Sequence, residues 1–335
     1  MVVKVSSRRK LLPWLRALCV LVALGVLFLV FRKVNLREMW SAMRTARPGW
    51  LVAAILIYGF GFVPAAWRWH LTLRLTNCDV DLAATARVTL IGHFFYTIFF
   101  GMAGGDFAKS ALYSRWYRRP MPEVLAAAPL DRLLGFCGLM GFTALAFGLA
   151  WAHGAFKNIE PSTTNLHWWW FGLIALILGL TGAALGRWAR GSAIERSWRA
   201  FWTGARRLAG LGSVAWQGIF CAFLVQVSFA ANLALSLQAV THSPVPWGQL
   251  LWTFPVIAVI SALPFNVAGV GLREGASLTL LGWYGVSPAD AVAASLLTFV
   301  ARLFWAVAGG LLLWYEQRER TLKISAQPGG VTADG

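Results

Sequence analysis

The chain has 335 residues, of which 58% are hydrophobic and only 13% charged, with 19 tryptophans and a mean hydropathy of +0.62. A soluble domain of this length would carry about a quarter charged residues, so the composition excludes one and requires a membrane protein. The net charge of +17 would suit nucleic acid in a soluble chain. Here the basic residues crowd short loops beside apolar runs, so positive-inside topology and anionic headgroups account for it.

Lys4, Arg8, Arg9 and Lys10 precede the first apolar run, Leu11 to Phe31, which is long enough to span. Basic residues ahead of an apolar stretch also mark signal peptides. Arg32 and Lys33 follow with no small-residue cleavage site, so a retained anchor is expected. Val34 to Ala46 places Leu36, Met39, Trp40 and Met43 at helical spacing against Arg37 and Arg44, the pattern of an interfacial amphipathic helix. A second span runs from Gly49 to Leu71.

Next come two apolar pieces, Val88–Phe100 and Phe107–Tyr117, separated by Gly101, Gly104, Gly105 and Asp106. At about 1.5 Å per residue neither crosses about 30 Å of hydrocarbon, so together they predict a re-entrant hairpin broken at the glycines. Spans at 124–150 and 168–186 follow. The segment 187–212, rich in arginine, is expected as a cytoplasmic loop. A span at 214–239 leads to a second hairpin, 248–263 and 272–284, broken by Pro264, Asn266, Gly269 and Gly271. The last span, 289–314, leads to a charged tail whose residues beyond 320 are expected to be disordered. Tryptophans at run edges, among them Trp14, Trp50, Trp151, Trp168 to Trp170 and Trp314, read as interfacial belts.

The expected fold is thus all-α: one polytopic helix bundle over residues 1–320, with six spans and two oppositely oriented re-entrant hairpins. Residues 49–150 and 214–315 read as two inverted copies of a span–hairpin–span unit, each with glycines and charge at the break, a proline after it (Pro122, Pro288) and an arginine in the closing span (Arg132, Arg302). Broken helices of inverted repeats, meeting at the midplane, build the substrate sites of many secondary transporters.

Charged side chains inside a membrane are costly and usually functional. The candidates are Asp106 and Lys109 on the first hairpin, Asp131 and Arg132 in the span after it, Arg273 and Glu274 just past the second break, and Arg302 near the middle of the last span. Asp131 and Arg132 could pair with each other, with Asp106 and Lys109, or with Glu274. Helix N-termini at the two breaks would add positive dipole ends suited to an anion. Secondary candidates are Arg68, for which snorkelling is an equal account, His93, for which aromatic packing is the simpler account, and Asn266. Purely structural ion pairing of the hairpins is the competing account of the whole set.

No G-x-S-x-G, HExxH, P-loop or strand-associated GxGxxG occurs, and the four cysteines, Cys19, Cys78, Cys137 and Cys221, show no metal-ligand spacing. No enzyme activity, cofactor or metal is expected.

The segments GGDFAK at 104–109, Asp-Arg at 131–132 and P-x-x-x-x-G-x-G-x-R-E at 264–274 resemble the lysylphosphatidylglycerol synthase transmembrane, or flippase-like, family. That family includes the membrane half of the multiple peptide resistance factor, stand-alone members and a member associated with hopanoid biosynthesis. The resemblance runs over about residues 15–315. Lys109 stands where the family commonly has arginine, keeping the charge without the fork. The resemblance implies lipid movement between leaflets or delivery of lipid-linked intermediates, while the basic residues place both termini in the cytoplasm and the basic, tryptophan-rich loops suit a bacterial inner membrane. The soluble aminoacyl-transfer half of the resistance factor has no counterpart in these residues, so aminoacylation is not expected of this chain. The expected substrate is an anionic or polyprenyl-type lipid. Its partners would be a lipid-biosynthetic enzyme or a second copy of the chain, and no nucleic acid. The rival reading is a non-transporting scaffold for a lipid-modifying enzyme; a transferase acting on polyprenyl-linked sugar is the third.

Overall fold

The computed structural model describes residues 36–78, 81–154, 193–241, 247–261 and 272–325. The expected anchor at 11–31, the span at 168–186 and the second break with Pro264, Asn266, Gly269 and Gly271 lie outside the described residues, as does the tail beyond 325. The described elements are α1 (Leu36–Arg44), α2 (Pro48–Phe60), α3 (Phe62–Leu75), α4 (Leu82–Phe95), a π-helical turn (Tyr96–Phe100), α5 (Gly101–Tyr117), α6 (Met121–Ala152), α7 (Ala193–Gly210), α8 (Gly212–Val240), α9 (Trp247–Ser261), α10 (Leu272–Gly282) and α11 (Pro288–Ser325). No strand occurs among the described residues, and the fold is an all-α membrane bundle.

Among the described residues, four stretches are long and apolar enough to cross a membrane: Pro48–Leu75, Met121–Ala152, Gly212–Val240 and Pro288–Thr321. They coincide with the spans expected at 49–71, 124–150, 214–239 and 289–314. Their outward faces are apolar, with Leu56, Phe136 and Leu311 about three-fifths exposed (61%, 59% and 64%). Such a surface is stable only against lipid or another apolar partner.

Helix packing follows membrane rules, in which small residues let backbones approach. Gly138 of α6 faces α8 so closely that an added Cβ would sit 2.3 Å from the Ala222 Cβ and 2.8 Å from its carbonyl carbon. Gly141, one turn on, has nothing within 4 Å. Gly138→Leu should therefore lower folded stability by at least the 1–3 kcal/mol typical of overpacking, and Gly141→Leu should not. Thermal unfolding of both variants in detergent checks this; equal midpoints would contradict the crossing.

The first hairpin is present, but its turn is elsewhere. The sequence places the break at Gly104 and Gly105 because glycine is a poor helix former. Both lie inside α5, and the chain reverses through Tyr96–Phe100 instead. Gly105 serves the crossing: a Cβ there would stand 2.8 Å from the Tyr96 Cβ, and at Gly92 one would meet the Lys109 side chain at 3.1 Å. In consequence Asp106 sits in the second turn of α5, so the dipole argument fails for this hairpin. On the second hairpin, α10 begins at Leu272 and carries Arg273 and Glu274 in its first turn, as expected.

A second correction concerns 187–212, where a cytoplasmic loop was expected. Residues Ala193–Gly210 form an amphipathic helix, with Trp198, Phe201 and Trp202 clustered on it. Arg207 anchors it, donating to Asn77 Oδ1 at 2.6 Å and to the Leu75 carbonyl at 3.2 Å, which caps α3. The arginine run concealed the 3.6-residue period. The helix α1 forms as expected, and its Met39 and Met43 pack on a core that includes Leu237, Val240 and Leu281.

Candidate functional site

Asp131 and Arg132 are consecutive on α6, so at 3.6 residues per turn they point about 100° apart and meet different neighbours. Asp131 turns to α3 and takes a two-pronged bond from Arg68, Nε to Oδ1 at 2.7 Å and Nη2 to Oδ2 at 3.0 Å. Gly135, one turn further, makes room for that guanidinium: a Cβ there would lie 3.2 Å from Nη1. Arg132 turns to α5 and donates through Nη2 and Nε to Asp106 Oδ2, at 2.8 and 3.0 Å. Lys109 completes the cluster, with Nζ 3.8 Å from Asp106 Oδ1 and 4.1 Å above the Trp69 ring. The possibilities that Asp131 pairs with Arg132 or that either pairs with Glu274 are thereby set aside.

The second cluster is built at the start of α10. Arg273 donates to its neighbour Glu274 through Nη2 at 2.8 Å and Nε at 3.2 Å. Ser295 of α11 receives Arg273 on its carbonyl at 3.0 Å and its hydroxyl at 3.1 Å, and the hydroxyl in turn donates to Glu274 Oε1 at 3.1 Å. Glu274 is fully buried. Arg302, in the middle of α11, has no ion pair among the described residues. The Tyr96 ring lies 5.8 Å from its guanidinium carbon and Tyr58 is adjacent, while its Nε has no hydrogen-bond partner among the described residues.

Between the clusters lies a cavity of about 370 Å³. Arg68, Asp131 and Arg132 face it from one side, Arg273 and Arg302 from another, and Leu139, Val225, Phe229, Leu233, Phe254 and Ile257 form an apolar wall. The cavity therefore presents four guanidinium groups against one carboxylate beside hydrocarbon. That combination can receive an anionic group borne on an apolar chain.

The structure brings Arg68, Asp131, Arg132, Arg273 and Arg302 to the cavity. Asp106, Lys109 and Glu274 stand behind the arginines as partners and do not line it. Arg68, for which snorkelling was an equal reading, is held inward by Asp131. His93 lies off the cavity: its Nε2 meets the Arg302 carbonyl at 3.2 Å and Thr97 Oγ1 at 3.4 Å, in an aromatic group with Tyr58, Phe62 and Tyr96. It joins α4 to α11. Gly104 and Gly105 lie within α5, and Asn266 is outside the described residues. The sequence reading missed Tyr58, Tyr96, Asn232, Ser277 and Ser295, which are uncharged and raise no signal in a membrane run. Asn232 donates to the Ala54 carbonyl at 2.8 Å, tying α8 to α2 at the cavity edge.

A family model described as the lysylphosphatidylglycerol synthase TM region matches residues 16–310. No curated protein matches the chain.

Proposed function

Because the chain belongs to the lysylphosphatidylglycerol synthase transmembrane family, a family of lipid-related membrane proteins, we propose that it moves a lipid with an anionic headgroup between the two leaflets. The observation that carries this reading is the cavity with cationic and apolar walls, lined by Arg68, Arg132, Arg273 and Arg302 beside Val225, Phe229 and Phe254. A headgroup enters against the arginines while its chains stay against α8 and α9. The carboxylates Asp131, Asp106 and Glu274 hold the arginines when no lipid is present; a buried guanidinium left alone would be costly. Transport of this kind needs no bond chemistry, so the protein acts without a cofactor.

The test is headgroup-resolved lipid scrambling in proteoliposomes. The wild type should redistribute an anionic lipid faster than protein-free vesicles do. Arg273→Ala with Glu274→Ala, removed together so that neither charge is orphaned, should reduce the rate by about tenfold or more, as loss of one charge-assisted contact implies. A double variant that scrambles at the wild-type rate would remove the second cluster from the path. A wild type that moves no lipid would defeat the proposal.

A further inference from the structure

The two clusters are not electrically closed. Around the cavity, among the described residues, stand five basic side chains, Arg68, Lys109, Arg132, Arg273 and Arg302, and three acidic ones, Asp106, Asp131 and Glu274. The surplus is divided evenly. On the side built by α3, α5 and α6, two carboxylates answer three cations; on the side built by α10 and α11, one carboxylate answers two. Each side thus retains one positive charge.

The second surplus has an identifiable holder. Arg273 and Ser295 engage Glu274, while Arg302 has the Tyr96 ring face, the Tyr58 hydroxyl and an unfilled Nε, all uncharged, and no ion pair among the described residues. An aromatic face is a weaker partner for a desolvated guanidinium than a carboxylate or phosphate is. In low-dielectric surroundings an uncompensated charge is stabilised chiefly by an opposite charge brought to it.

Resting on the transport reading above, we propose that the lipid carries two negative charges on its headgroup, as a phosphate monoester or diphosphate, with one charge answering each side of the cavity. A phosphodiester carries one charge and neutralises one side only. A monoester carries about 1.5 to 2 negative charges near neutrality and approaches two at pH 8, and a diphosphate reaches both sides with separate phosphates. The apolar wall of Leu139, Phe229 and Ile257 selects the lipid-borne form over the free ion.

The experiment compares ligands with the same tails. Purified full-length protein in zwitterionic nanodiscs at pH 8 is titrated with dioctanoyl phosphatidate and dioctanoyl phosphatidylglycerol, and separately with inorganic phosphate and pyrophosphate, binding being followed by calorimetry. Phosphatidate should bind at least about tenfold more tightly than phosphatidylglycerol. Arg302→Gln and Arg132→Gln, one on each side, should each abolish that preference, and Arg302→Lys should keep it. Equal affinity for the two lipids overturns the two-charge assignment, and if phosphatidylglycerol is scrambled all the same the transport reading stands without it. Loss of the preference in Arg302→Lys as complete as in Arg302→Gln overturns the charge argument in favour of guanidinium shape. Inorganic phosphate binding as tightly as phosphatidate overturns the lipid assignment. Absence of both lipid binding and lipid scrambling defeats the transport reading itself.

Discussion

Asp131→Ala should destabilise the folded protein by about 3–5 kcal/mol, the range for removing one partner of a buried ion pair. The side chain of Asp131 is 10% exposed and that of Arg68 13%, and the pair is bidentate. Without the carboxylate, Arg68 keeps its charge in a site where two other cations, Lys109 and Arg132, share the one remaining carboxylate, Asp106. Desolvation and like-charge repulsion then act together, which places this change above a surface pair worth about 0–1 kcal/mol. The companion Arg68→Leu with Asp131→Leu removes both charges and should recover most of the loss, since well-packed apolar replacements of buried pairs are often neutral. Denaturant unfolding of the three proteins in detergent measures the difference. If Asp131→Ala unfolds with the wild type, the pair does not hold α3 to α6.

Arg302→Gln should do the opposite: slow the proposed lipid movement strongly and leave stability almost untouched. Arg302 gives up no ion pair among the described residues, and its Nε makes no hydrogen bond there. Replacing it relieves desolvation without orphaning a carboxylate, so unfolding should stay within about 1 kcal/mol of the wild type. On the proposed reading the contact from this guanidinium to a phosphate would be charge-assisted and desolvated, worth about 1.5–3 kcal/mol, so the scrambling rate should fall about 10- to 100-fold. A variant that both unfolds and stops transporting would show Arg302 to be structural. One that folds and transports normally would take it off the path. Comparing the two variants thus separates charges that hold the bundle together from the charge proposed to meet the lipid, although both lie in the same cavity.

The expected and observed elements agree where the signal is local. Each of the four described spans is a long apolar run, and Arg273 and Glu274 lie in the first turn of α10, where the sequence expected a helix to restart. Disagreement arises where a residue serves a distant neighbour. Gly105 looks like a breaker in the linear chain but is a contact surface for Tyr96. The arginines of 193–210 look like a loop until the helix lays Trp198, Phe201 and Trp202 together and Arg207 reaches Asn77.

The same division runs through the site. The amino-acid sequence alone determined that the chain belongs in a membrane and which charges lie within its apolar runs, because hydropathy and helix period depend only on neighbours a few residues apart. The tertiary structure decided which charge meets which. Asp131 binds Arg68 from 63 positions away, Arg132 binds Asp106 from 26, and Arg302 meets only the uncharged Tyr58 and Tyr96. Those choices depend on how each helix is rotated and how closely glycines let it approach its neighbours. No local pattern encodes that rotation, and it alone leaves one surplus cation on each side of the cavity.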